Sequence, residues 1–409
     1  MPTSSTRKAR AQAAAAAMTG LLLVGIATTP AHADSVRSQQ WYLDAMGAED
    51  IWKISTGKGV DVAVIDTGVD DTNGDLRGQV LDGLDLATGE NGDEHTDYEG
   101  HGTGMAGIIA GTGDSGGGDG AFGLAPGTRV VPIRIPNIGW NANRDAEINV
   151  FNDAVSRAIR YAADQDIKVI NISQKVIKGS QQLTDAVRYA TNKGSLIFAG
   201  TGNGGGSGLG YPASTPGVVG VGALGKDLKK TDESQFGPQV DLSAPGKDIV
   251  HACGGKTGLC NSHGTSTATA IASATAALIW SKHPEWTNNQ VLRVMLNTAS
   301  APTSGNKRND YIGYGALRPL RALTSPGDPG PADEYPLPDL ASSASPSPSA
   351  EPSEPTGGQE IGADEQPAPA ASASQESSNT GLWIALGAGA AVLVGAAVAA
   401  VVLRARRNS

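Results

Sequence analysis

Cysteine is nearly absent from this chain of 409 residues: Cys253 and Cys260 are the whole complement. No Cys and His stand together at metal-ligand spacing, so no zinc site is expected. Aromatic residues make up only 4% of the chain, and 55 glycines accompany them. The core must therefore come from Val, Ile, Leu and Ala, packed around tight turns. Clusters of Lys and Arg are missing outside the two ends, and the net charge is -10. That excludes a nucleic-acid partner, since phosphate binding needs a concentrated positive surface.

Both ends read as addresses rather than as parts of a fold. Arg7, Lys8 and Arg10 precede the apolar run "AAAAAMTGLLLVGIA", and "AHA" (31–33) offers the small residues that a signal peptidase reads. Residues 1–33 are thus expected to be a signal peptide, cleaved after Ala33. "LWIALGAGAAVLVGAAVAAVVL", 382–403, is uncharged; at a rise of about 1.5 Å per residue it crosses the roughly 30 Å of a bilayer's hydrocarbon. "RARR" follows, which keeps the tail 404–409 cytoplasmic and makes the chain a single-pass cell-membrane protein with everything before the span outside. Residues 324–381, rich in Pro, Ser, Ala and Glu, read as a disordered linker, because so few large apolar side chains cannot offset the entropy of ordering. One globular domain, 34–323, remains. Given export, Cys253 and Cys260 are expected to form a disulfide that closes "CGGKTGLC".

Within the domain, "VDVAVID" (60–66), "RVVPIRI" (129–135), "IKVINIS" (167–173), "SLIFAG" (195–200) and "VVGVGAL" (218–224) read as fully buried strands. They alternate with helical stretches such as "AEINVFNDAVSRAIRYAADQ" and "TSTATAIASATAALIWSKH". This predicts an α/β domain with a mainly parallel sheet covered on both faces. Chemistry in such a sheet belongs at the carboxyl ends of strands and the helix starts that follow them.

Three of these turns carry reactive side chains. "VAVIDTGVD" ends a strand on Asp66, "YEGHGTGMAG" sets His101 ahead of a Gly-rich helix start, and "SHGTSTATA" sets Ser266 at another. Singly, each has a plain explanation as a turn residue, a surface imidazole or a helix cap. Jointly they supply what a serine nucleophile needs: a base to take its proton and a carboxylate to orient that base. On these words, in the order Asp, His, Ser, the chain resembles the subtilisin-like serine proteases, the subtilases. "FAGTGN", "YPAS" (211–214) and "DLSAPG" (241–246) extend the likeness from about Trp41 to about Leu323.

The resemblance implies a three-layer α/β fold and peptide-bond hydrolysis through an acyl-enzyme, with Asp66, His101 and Ser266 as triad and Asn203 as side-chain oxyanion donor. It implies no cofactor for the chemistry. Structural calcium occurs at surface loops of the family, but "DEHTDY" (93–98) matches no EF-hand pattern and reads as a solvated loop. The chain departs from the family at three places: Gly104 stands where a second His is usual, Thr269 and Ala270 stand where Ala-Pro is usual, and the substrate-pairing edge reads Ser173-Gln174-Lys175 rather than Ser-Leu-Gly. That edge and the residues around Gly202 are expected to hold a protein or peptide substrate. The absence of room for a long pro-segment, the Pro-rich stalk and the terminal span resemble the mycosins, the membrane-anchored subtilases of actinobacterial type VII secretion, which implies secretion-system components as partners. Two other readings compete with this one. A non-catalytic surface protein using the same cleft to bind a partner stays open, whereas an α/β-hydrolase esterase fails because its Gly-x-Ser-x-Gly serine precedes the acid and the His.

Overall fold

Residues 35–138, 144–255, 257–303 and 305–343 are described by the structure, a computed structural model. The predicted signal peptide, membrane span and cytoplasmic tail lie outside the described residues. Among the described residues no helix is long and apolar enough to cross a membrane.

All five predicted strands form: β1 (Asp61–Asp66), β3 (Arg129–Arg134), β4 (Val169–Ile172), β5 (Leu196–Gly200) and β6 (Val218–Leu224). Two short strands join them, β2 (Leu84–Asp85) and β7 (Leu242–Pro245), giving a seven-stranded sheet in the order β2-β3-β1-β4-β5-β6-β7. Every pairing in it is parallel. Successive side chains on a strand point to opposite faces, and the two cores sort accordingly. Val62, Val64, Leu196 and Phe198 join one hydrophobic cluster; Ala63, Ile65, Ile197 and Ala199 join the other. Each Val, Leu, Ile or Phe among them contributes roughly 1.5–3 kcal/mol on burial.

Helices cover both faces. On the first lie α1 (Trp41–Met46), α2 (Ala48–Trp52), α3 (His101–Ala110), α6 (Thr265–Lys282), α7 (Asn288–Thr298) and α8 (Pro319–Thr324); on the second lie α4 (Asp145–Asp164) and α5 (Gln181–Asn192). Helix α6 is central, with every residue from Thr265 to Trp280 buried. Two of its threonine hydroxyls are satisfied by the preceding turn: Thr269 Oγ1 donates to the Thr265 carbonyl (2.7 Å) and Thr275 Oγ1 to that of Ile271 (2.8 Å). The helix runs unbroken through Thr269 and Ala270.

A hairpin of β8 (Ile249–Ala252) and β9 (Leu259–Ser262) stands apart from the sheet, and the Cys253–Cys260 disulfide closes it. Packing also continues beyond Leu323, where the disordered linker was expected to begin. The side chains of Thr287, Asn289, Gln290 and Arg293 on and before α7 donate to the carbonyls of Pro329, Gly330, Pro331, Ala332 and Glu334. Leu337 is buried, and Gly217 N–H donates to Asp339 on a last helix, α9 (Pro338–Ser343). A Pro-rich stretch offers few N–H groups but keeps its carbonyls, and a helix lined with amides and an arginine can hold it without a large apolar contact.

Candidate active site

Strand order reverses around β1, which has β3 on one side and β4 on the other. A crevice opens at such a switch point, beyond the strands' carboxyl ends. Asp66 ends β1, Ser173 follows β4, and Gly200 ends β5, so three strands deliver their last residues to one place.

Helix α3 starts against the end of β1. A Cβ at Gly102 would lie 2.1 Å from the Gly68 carbonyl and 3.1 Å from Asp66 Cβ, so only glycine permits this approach. The approach sets His101 Nδ1 2.7 Å from Asp66 Oδ1. Asp66 is fully buried and His101 17% exposed. Burial alone would lower the imidazole's pKa, but the charge and hydrogen bond of Asp66, with Asp97 and Glu99 further off, outweigh it and raise the pKa above its usual value. Thr67 N–H (2.8 Å) and the Gln174 amide (3.3 Å) also donate to Asp66 Oδ1.

Ser266 lies in the first turn of α6, after Gly264, whose φ of 114° suits glycine. Its hydroxyl donates to the Ser173 carbonyl (3.0 Å), which ties the start of α6 to the end of β4. Asn203 is oriented by the Thr265 N–H, which can only donate and meets its Oδ1 at 2.9 Å; Thr265 Oγ1 donates to the same oxygen at 3.0 Å. The amide nitrogen is thereby left to donate elsewhere. A Cβ at Gly264 would come within 2.7 Å of that nitrogen. Ser173, Gln174, Lys175 and Gly202 line one cleft of about 200 Å³ with Asn203 and Ser266, and Glu99 and Asn137 also border it. Asp66 adjoins the cleft through Gln174, which lines it, and His101 is paired to Asp66.

Several supporting residues escaped the sequence reading. The loop 93–98 is not simply solvated: Asp97 Oδ1 accepts from Thr67 Oγ1 (2.8 Å) and Gly100 N–H (2.8 Å), and Oδ2 from Thr103 N–H (2.8 Å) and Oγ1 (2.6 Å). This carboxylate pins the loop to the start of α3, where an anion is favoured. Its signal was an Asp shortly before a helix start, with Thr in the first turn. Arg134, 2% exposed at the end of β3, pairs with Glu90 (3.3 Å) and donates to the Asn91 carbonyl (2.9 Å), holding the same loop from below. His251, read as structural, lies behind His101. Its ring passes over Gly104, where a Cβ would meet Cε1 at 2.7 Å, so the residue replacing the family's second histidine leaves room for a different one. His251 Nδ1 faces the Ala252 carbonyl (2.7 Å) and Nε2 the Ser262 hydroxyl (2.8 Å). Burial drives its pKa down to about 4. His263 instead pairs with Glu233 at the surface (2.6 Å). Among the described residues no group of three or more acidic, His or Cys side chains could hold a metal ion.

A buried carboxylate–imidazole pair, a serine in the first turn of a helix and an asparagine amide held by its oxygen at the same cleft as that serine are the parts a serine hydrolase uses. Comparison with known proteins gives the family: the Subtilase family model matches residues 57–315. The chain belongs to the subtilase family of serine endopeptidases, whose chemistry needs no cofactor. It is 35% identical over 274 residues to the thermophilic serine proteinase of Bacillus sp. (strain AK1), covering 67% of this chain and 64% of that protein's length. MycP1 from Mycobacterium smegmatis superposes with a TM-score of 0.62 at 28% identity, over 71% of this chain and 86% of that one. A chain of the periplasmic assembly from the ESX-5 inner membrane complex gives 0.63 at 26% identity, over 80% and 92%.

Proposed function

We propose that this chain hydrolyses peptide bonds of secreted or extracellular proteins through Asp66, His101 and Ser266. The observation that carries the reading is the 2.7 Å contact of His101 with the fully buried Asp66, which holds the imidazole in the tautomer able to accept a proton on Nε2. Ser266 Oγ attacks the substrate carbonyl as His101 takes its proton, and the imidazolium so formed is stabilised by Asp66. Negative charge collects on the carbonyl oxygen, where the Asn203 amide and the Ser266 N–H donate to it. His101 returns the proton to the leaving amine, and water repeats the sequence on the acyl-enzyme. Backbone groups of Ser173 to Lys175 pair with the extended substrate.

The layout further supports a mycosin-like role linked to type VII secretion, with secretion-system components as partners: the chain resembles MycP1 and a chain of an ESX-5 assembly. On this reading residues 382–403 anchor the protein in the cell membrane, with the peptidase domain outside and the tail 404–409 inside. A fluorophosphonate probe should label Ser266, and Ser266→Ala should abolish both labelling and peptide turnover. Folded protein that takes no label would instead favour a partner-binding role for the cleft.

A further inference from the structure

Lys175 is the one cleft residue whose charge has no counterpart. Its side chain is half-buried, and among the described residues its ammonium makes neither an ion pair nor a hydrogen bond. The stem lies against two glycines: a Cβ would meet Lys175 Cε at 2.4 Å from Gly202 and Cδ at 3.0 Å from Gly210. Gly202, with φ 109°, belongs to the turn after β5 that carries Asn203, so the stem crosses the floor of the cleft that Ser266 opens into. Beside it, the buried Gln235 Oε1 reaches the same glycine and has no hydrogen-bond partner among the described residues. Glu99, the cleft's carboxylate, is occupied by the Asn137 amide. A half-desolvated ammonium without a counter-ion is costly, and a ligand carboxylate would relieve that cost.

Resting on the endopeptidase reading, we propose that Lys175 selects substrates with an acidic side chain, Asp or Glu, on the residue whose carbonyl Ser266 attacks. The ammonium donates to the carboxylate as the side chain enters the cleft. An uncharged amide of the same shape cannot match that charge, and a basic side chain is repelled. Desolvation by burial also lowers the pKa of Lys175, which marks how far its charge is withdrawn from water.

The test measures kcat/KM of the purified full-length chain on peptides that differ at this one residue: Glu, Gln, Asp, Asn, Leu, Ala and Lys. Glu over Gln and Asp over Asn should be favoured about tenfold to a hundredfold in the wild type, the worth of one charge-assisted hydrogen bond. Lys175→Arg should retain the preference, Lys175→Met, which keeps the stem and removes the charge, should collapse both ratios to near one, and Lys175→Glu should turn the preference toward Lys. Because each result is a ratio between substrates on one protein, a general loss of activity or stability in a variant does not imitate it. Preference of the wild type for Leu or Ala, or an acidic preference that survives Lys175→Met, overturns the proposal. Fluorophosphonate labelling of wild-type Ser266 separates these outcomes from failure of the endopeptidase reading: a labelled enzyme indifferent to charge refutes the role of Lys175 alone.

Discussion

His101 and His251 are near neighbours behind the same cleft, and both are largely shut off from water. One faces a carboxylate and has its pKa raised; the other faces a carbonyl and a hydroxyl and is pushed down to about 4. Burial pulls both in the same direction and the charge of His101 pushes His251 further down, so the Asp66 carboxylate is what sets His101 apart. A histidine becomes a base able to stabilise its own protonated form only where a charge waits for it. Without that charge, the ring is a neutral packing element.

The sharpest break of this comparison is removal of each ring. His101→Ala should lower peptide turnover by on the order of 10⁶, the loss known for subtilisin's own triad histidine, whereas His251→Ala should leave kcat within about tenfold, since it touches no reacting atom. Steady-state hydrolysis of a reporter peptide checks both. Asp66→Asn is next: it keeps the shape but turns the imidazole to the wrong tautomer, as in the trypsin-like triad, where the cost is about 10⁴ in kcat. The same variant should move the acid limb of kcat/KM, expected above pH 6.5 in the wild type, to lower pH. Asn203→Ala should slow turnover by about 10²–10³, the value known for subtilisin's side-chain donor, and leave that limb where it was, because the amide does not act through His101.

The smallest effects concern stability. His251 has a folded pKa below its unfolded value, so the unfolded chain binds the extra proton between pH 6.5 and about 4, and stability present above pH 6.5 is lost as pH falls through that window. The contribution is on the order of 3 kcal/mol. His101 has the opposite sign: its contribution is full below pH 6.5 and is lost as pH rises through its raised folded pKa. Chemical denaturation across pH should therefore show His251→Gln flattening the acid slope and His101→Gln flattening the neutral one.

How much of this was legible in the sequence follows from what each residue depends on. The turn positions of Asp66, His101, Ser266 and Asn203 could be read because their neighbours in sequence are small residues and strand ends. The buried strands could be read from continuous Val and Ile runs, but β2 and β7 were too short to show a pattern. His251 could not be read, since its environment is made by Gly104 and Ser262 rather than by its own flanks. The segment after Leu323 was misjudged for a different reason. Composition counts apolar side chains, while this segment docks through its carbonyls. Asp241, beside that segment, shows that the docking is electrostatically loaded: desolvation first, and then Asp339, push its pKa up to about 8.

The space shared by Gly104 and the His251 ring has a consequence on the scale of descent. A side chain at 104 would meet the imidazole at 251 at 2.7 Å, so position 104 cannot enlarge until 251 has shrunk or moved. Among related chains the two sites should mutate as a pair, with a bulky residue at one and a small residue at the other. A lineage crossing between these states must pass through a clash or a void, which would keep the two forms on separate branches.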